Sequence, residues 1–237
     1  MVHPPSRRRI YLMRHGAVTY FTPAGTPIPP DGVPLNDAGI AQAQAAGRLF
    51  AAHGVVFDRV VASGLPRTSQ TAEHVLSQLD HAPTIEQRPG LQEIRPGRLR
   101  DIPADQLHAS VVSVLYGTAP LESKFMGGET VGAMLDRALP EIDALRHEQD
   151  WNTLLLVLHG GVNRAILSYL LSGQRIMLGG FEQSPACINV LDIGSESRDV
   201  ILRATNLSPT DWLQHHTRSS TMEVLFDEYA RFHQSLQ

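Results

Sequence analysis

The chain has a single cysteine among 237 residues, Cys187. That excludes an intramolecular disulfide framework and any zinc site built from cysteines. Long apolar runs are also missing: none approaches the roughly 20 residues a helix needs to cross a bilayer. Arginines stand near the N-terminus, but the apolar run behind them, Ile10 to Met13, is too short to form the core of a signal peptide. Positive charge is not in excess. A formal net charge of −4 argues against a general nucleic-acid binder, which is usually basic. No repeat period and no stretch of low complexity is visible. These absences predict a cytoplasmic protein in a reducing environment, engaging neither nucleic acid nor membrane. What remains, 42% hydrophobic and 19% charged residues, is the composition of an ordinary globular protein. The length suffices for one large domain.

Read along the chain, apolar runs of strand length alternate with helical patterns. Ile10 to Met13 reads as a short buried strand. Residues 21–34, "FTPAGTPIPPDGVP", are too rich in Pro and Gly for a helix or a central strand, and predict a long surface loop. The helix after it has Asn36 as N-cap and Gly54 as its stop. A β-rich run at 57–63 leads into a second helix with Pro66 in its first turn. A short strand is predicted at 84–87, and a weakly patterned helical excursion at 101–126. Residues 127–148 read as a helix bent at Pro140. Leu154 to Leu158 is continuously apolar, as a strand buried on both faces would be, and a helix follows at once. Two more strands are predicted at 187–193 and 199–205. Met222, Leu225, Phe226, Tyr229 and Phe232 recur at helical spacing in the tail, which predicts a helix docked on the domain. The alternation implies an α/β fold: a three-layer sandwich whose mostly parallel central sheet is flanked by helices. A single domain over 1–237 is expected, with a variable cap-like insertion near 95–126 and a helical tail at 207–237.

Two predicted strands end in the same way. "YLMRHG" delivers Arg14 and His15 with Gly16 behind them, and "LVLHGG" delivers His159 with Gly160 and Gly161. In an open α/β sheet, ligands bind outside the carboxyl ends of the strands. Neighbouring strands would bring both imidazoles into one crevice, and glycines there let the backbone approach a ligand closely. A third strand end, "VVASGLPRTSQTA", adds Ser63 and then Arg67 at a helix start, where backbone N–H groups and the helix dipole favour an anion. Two arginines, two histidines and a helix N-terminus describe a site for a phosphate-like anion. No cluster of carboxylates or imidazoles for a metal stands at these positions.

Taken together, "LMRHG", "PLNDAGIAQAQ", "VASGLPRTSQTA", "LQEIRPG", "GGET" and "VLHGGVNR" resemble the motif series of the histidine phosphatase superfamily, the phosphoglycerate-mutase-like enzymes of branch 1. The resemblance runs from about residue 9 to about residue 206. It implies a metal-independent phosphomonoesterase of the histidine acid phosphatase type, needing no cofactor and acting on a small-molecule phosphate ester as a monomer or homodimer. His15 would be the nucleophile that forms a phosphohistidine. Arg14, Arg67, His159 and Gly160 would bind the phosphoryl oxygens, and Glu93 would be the general acid. Where family members often carry an asparagine shortly after "RHG", this chain has Thr19, Tyr20 and Phe21, so Thr19 and Tyr20 are candidate pocket residues. Arg95, with Arg98 and Arg100, could bind a second anionic group. The longer polar signature of the phosphoglycerate mutases proper is missing. A mutase, and a catalytically weak domain that binds a phosphorylated partner, are the alternatives.

Overall fold

The computed structural model describes residues 7–98, 101–214 and 218–234. Among them, strands β1 (Arg8–Arg14), β2 (Arg59–Ala62), β3 (Ile85–Gln87), β4 (Thr153–Leu158), β5 (Ile188–Ile193) and β6 (Val200–Leu207) form one sheet in the order β3-β2-β4-β1-β5-β6. The β3-β2, β2-β4 and β4-β1 pairs are parallel, while β5 runs against both of its neighbours. Helices α1 (Asp37–Ala52) and α2 (Pro66–Leu76) cover one face. On the other lie α3 (Ala104–Val112), α4 (Val131–His147) and α5 (Gly160–Ser172), and α6 (Thr221–Gln234) comes last in the chain. This is the expected α/β architecture with a mostly parallel sheet.

The layers follow from the period of the strands. Successive side chains of a strand point to opposite faces. In β1, Ile10 and Leu12 join the core under α4 and α5, while Tyr11 and Met13 meet the one under α1 and α2. In β4, Leu154, Leu156 and Leu158 divide from Leu155 and Val157 in the same way. Both faces are covered, so neither strand alternates with polar residues.

Local signals set the helix ends. Asn36 caps α1 by accepting a hydrogen bond from Gly39 N at 2.9 Å, and Thr130 caps α4 through Ala133 N at 3.1 Å. Gly54 and Gly173 close α1 and α5 with φ of 62° and 69°, the left-handed region that glycine enters freely. Helix α4 runs unbroken through Pro140. The excursion at 101–126 is less helical than predicted. It holds α3 and short 3₁₀ turns, because backbone N–H groups of the segment from 123 onward pair with loop partners: Phe125 N donates to Glu129 O and Val131 N to Ser123 O. Arg100 lies outside the described residues, as does the side chain of Phe232.

Candidate active site

Strand register builds the floor of the site. Arg14 pairs with Leu158 at the ends of β1 and β4, so the next residues, His15 and His159, emerge side by side. Their rings meet edge to face with centroids 5.3 Å apart. Both are buried, His159 completely. The backbone around His15 is fixed on every side: His15 N donates to Leu158 O, Ala186 N donates to His15 O, and Gly16 N donates to Thr71 Oγ1 at 3.0 Å. Gly16 has no freedom to be another residue, because a Cβ there would lie 2.5 Å from Gly39 O. The "RHG" and "NDAG" glycines therefore let the end of β1 touch the first turn of α1.

Hydrogen bonds decide which ring nitrogens are available. His15 Nδ1 lies 2.8 Å from Gly16 O, and a carbonyl only accepts. Nδ1 therefore carries the proton, and Nε2 keeps its lone pair. For His159 the order is reversed. Thr68 Oγ1 donates to Leu65 O at 2.8 Å, so the 3.0 Å contact between Ser63 and Thr68 uses the Ser63 proton. Ser63 Oγ then accepts from His159 Nε2 at 2.7 Å. That leaves His159 Nδ1 buried and without a partner. Ser63, from the end of the third strand, thus sets the tautomer of His159.

Two guanidinium groups complete the floor. Arg14 Nη1 donates to Gln183 O at 2.5 Å and to Thr221 Oγ1 at 3.1 Å, while Arg67 Nη1 donates to Pro30 O at 2.6 Å. The Nε of each is buried and unpartnered. Their charge and the loss of water hold the pKa of His15 well below the usual imidazole value: burial is the larger cause, followed by Arg14 and Arg67. His159 is pushed down likewise by burial, then Arg67, His15 and Arg14. Both imidazoles are neutral at pH 7. The N-terminus of α2 adds less than expected, because Pro66 has no N–H and those of Thr68 and Ser69 donate to Leu65 O.

Glu93 is held by main chain. Its carboxylate accepts from Gly161 N at 3.0 Å, Ile94 N at 3.0 Å and Val162 N at 3.3 Å, so it occupies the N-terminus of α5. A Cβ on Gly161 would come within 2.6 Å of Glu93 Oε1, which gives the second glycine of "HGG" its reason. Arg137 fixes the rest of the turn, donating to the carbonyls of Gly90, Gln92 and Glu93.

Arg14, His15, Arg67 and Glu93 all line one cavity of about 860 Å³. Tyr20 and Arg95 line it too, as does Arg98, and the two arginines are exposed. Three predicted site residues are not in its wall: His159, completely buried beside the His15 ring, Thr19 and Gly160. Thr19 is exposed and outside the cavity wall, its hydroxyl accepting from Asn36 Nδ2 at 3.2 Å. Val18 and Tyr20 face the cavity, so the alternation of extended chain turns Thr19 away. Gly160 is not in the wall of this cavity either. It lies under the guanidinium groups, where a Cβ would stand 3.2 Å from Arg164 Nη1 and 3.5 Å from Arg14 Nε. Among the described residues no cluster of His, Cys, Asp and Glu could hold a metal ion, and no helix is long and apolar enough to cross a membrane.

Sequence reasoning missed the contribution of the tail. Thr221, at the start of α6, touches Arg14 and donates to Glu182 Oε1 at 2.5 Å, and Glu182 pairs with the buried Arg164 at 2.9 Å. The apolar stripe of α6 showed that the helix docks, but a stripe does not say on what.

Comparison with known proteins gives a consistent result. Residues 10–206 match the model of the histidine phosphatase superfamily (branch 1). The chain is 27% identical over 190 residues to adenosylcobalamin/alpha-ribazole phosphatase of Salmonella typhimurium, covering 78% of this chain and 90% of that protein. Alpha-ribazole phosphatase from Shigella flexneri superposes with a TM-score of 0.61 at 26% identity, over 84% of this chain and 96% of that one. A mycobacterial glucosyl-3-phosphoglycerate phosphatase shares the fold, with a TM-score of 0.61 at 21% identity over 85% and 99% of the two chains.

Proposed function

Because this chain belongs to branch 1 of the histidine phosphatase superfamily, we propose that it is a metal-independent phosphomonoesterase that acts through a phosphohistidine at His15. The substrate is a small phosphorylated metabolite, and the enzyme is a hydrolase of phosphoric monoesters of the histidine acid phosphatase type. The observation that carries the reading is the state of His15. Its Nδ1 lies 2.8 Å from Gly16 O, burial and the neighbouring arginines disfavour a charged ring, and it stands on a cavity floor beside two buried arginines. A ring so held has one lone pair to offer, on Nε2.

In the first half-reaction Nε2 attacks phosphorus, the N–P bond forms and the ester P–O bond breaks. Glu93, in its carboxylic acid form, gives its proton to the departing oxygen. In the second half Glu93 takes a proton from water as that water attacks the phosphohistidine. The N–P bond breaks and inorganic phosphate leaves. Phosphoryl transfer needs little covalent help beyond this; it needs positioning and charge. Arg14 and Arg67 supply both, since a guanidinium stays protonated and matches two phosphate oxygens at once. The unpartnered Nε atoms of both arginines and Nδ1 of His159 are where an anion would find donors. His159, neutral in the empty site, donates through Nδ1 once a bound dianion makes its protonation favourable.

The test is hydrolysis of p-nitrophenyl phosphate between pH 5 and 8 in EDTA, with His15→Ala alongside. The wild type turns over undiminished by the chelator, and the variant loses at least about a thousandfold in kcat while remaining folded. Inhibition by EDTA that a divalent ion reverses would overturn metal independence. Substantial turnover by the variant would overturn the role of His15.

A further inference from the structure

We propose that the ester's organic part is a bulky apolar group and that helix α6, beyond the family-matched residues 10–206, forms the wall that selects it. The inference rests on the phosphatase reading for the phosphoryl group that anchors the substrate. It concerns everything above that group.

The cavity is far larger than a phosphate needs. At about 860 Å³ it lies near the upper end of cavities that enclose drug-sized ligands, roughly 300–1,000 Å³. Its charged groups lie on the floor and at the exposed rim, where Arg95 and Arg98 stand with Asp31 and Glu228. Between them the wall is apolar and comes from three separate segments: Phe21 and Ile28 from the Pro-rich loop, Phe125 and Met126 from the excursion before α4, and Leu225 and Phe226 from α6. Phe21, Phe125 and Met126 are already buried, while Ile28, Leu225 and Phe226 are only half-buried, and apolar surface that faces a cavity in this way is costly unless a ligand covers it.

Helix α6 is fixed across this space at several points. Tyr229 packs on Phe21 with ring centroids 6.2 Å apart, and Phe226 meets the His108 ring at 5.0 Å. Tyr116 Oη donates to Glu223 Oε1 at 2.9 Å. Its first residue touches the phosphate floor through the Thr221–Arg14 contact. The same helix therefore joins the charged floor to the apolar wall, and a substrate anchored by its phosphate extends along it.

Met126 points the same way. It has φ of 49° and ψ of 36°, a left-handed conformation that residues with a Cβ seldom adopt. Close backbone packing imposes it: a Cβ on Gly97 would lie 2.4 Å from Met126 O, and one on Gly128 2.4 Å from Arg95 O. The result is a buried, adaptable thioether on the cavity wall. The chemistry that fits is a phosphomonoester of an uncharged apolar alcohol, with either an aromatic or an aliphatic group.

Two series test this together. Alkylphosphonates from methyl to octyl, which cannot be hydrolysed at the C–P bond, are titrated into the full-length protein, with naphthylmethylphosphonate as the aromatic arm. The matching phosphate esters, and glycerol phosphate as a polar control, are assayed for turnover. Affinity and kcat/KM are expected to rise by up to about fourfold per buried methylene until the cavity is filled. Tighter binding and faster turnover of the octyl or of the naphthylmethyl compound identifies the aliphatic or aromatic source. The double variant Leu225→Ala/Phe226→Ala is expected to flatten the octyl-to-ethyl ratio by about tenfold. Turnover with no dependence on length, or a preference for glycerol phosphate, would overturn the apolar substrate and leave the phosphatase reading intact. Length-dependent binding of the phosphonates with no turnover of any ester would do the opposite.

Discussion

The floor and the wall of one cavity are built by different means. The floor sits at the ends of β1, β4 and β2, and nearly every polar group in it is tied to main chain: His15 to Gly16, Arg14 to Gln183, Arg67 to Pro30, and Glu93 to the N–H groups of Gly161 and Val162 in α5 and of Ile94 in its own turn. The wall is made of loop, excursion and tail, and its residues meet through rings and apolar contact. Hydrogen bonds to backbone fix a side chain in direction as well as distance. Apolar packing fixes volume and leaves shape adjustable. A phosphoryl group is the same in every monoester and suits a rigid floor. The organic group varies, and suits a wall that can be replaced without disturbing the sheet.

That contrast predicts where substitutions act. Arg67→Ala removes a floor cation and releases the Pro-rich loop from its anchor at Pro30. A loss of about 10²–10³ in kcat/KM is expected for every substrate, the smallest ester included, and exceeds any change in preference that the freed loop brings. A loss confined to bulky esters would place Arg67 in the wall instead. Glu93→Gln separates chemistry from positioning. Its loss should reach about a hundredfold on alkyl esters and stay under about tenfold on aryl esters, whose leaving oxygen needs less protonation. Equal losses on both would leave Glu93 only its part in holding the turn at Gly161.

The smallest effect concerns stability. His15 and His159 are buried with pKa values held below the usual imidazole range. Below about pH 6.5 the unfolded chain takes up protons that the folded one refuses, so stability falls as the pH drops toward the folded values. Each histidine contributes up to about 1.4 kcal/mol per pH unit within that window. Urea unfolding at pH 7 and pH 5 measures the sum, and His15→Ala is expected to lessen the slope. An unchanged slope would mean that His15 is not neutral in the folded state.

The same contrast explains what could be read from the sequence. The positions of Arg14, His15 and His159 were legible because a strand end followed by glycine places a side chain by local geometry alone; that of Arg67 was legible from the helix start after a third strand end, and a motif series keeps these in order. Glu93 was legible as a residue, although its capping of α5 depends on a contact 68 positions away in the chain. Thr19 was misread because whether a residue in an extended segment faces in or out depends on where the pairing begins, here the bridge between Val18 and Leu35. Ser63 was visible at a strand end but without a role, since a hydroxyl there can face the ligand or the next histidine. The role of α6 was not legible at all. Met222, Leu225, Phe226 and Tyr229 announce an amphipathic helix, but the surface that receives them is assembled from residues more than 100 positions earlier, among them Phe21 and His108.

The central claim is that Nε2 of His15 accepts the phosphoryl group. The most direct measurement is to mix the enzyme with a fast phosphate ester, quench in base within one turnover, and locate any added phosphoryl group by mass spectrometry and by its lability to acid. A single acid-labile phosphoryl group on the peptide carrying His15, absent from His15→Ala, is the predicted result. Turnover with no covalent phosphoenzyme, or one on another residue, would contradict it.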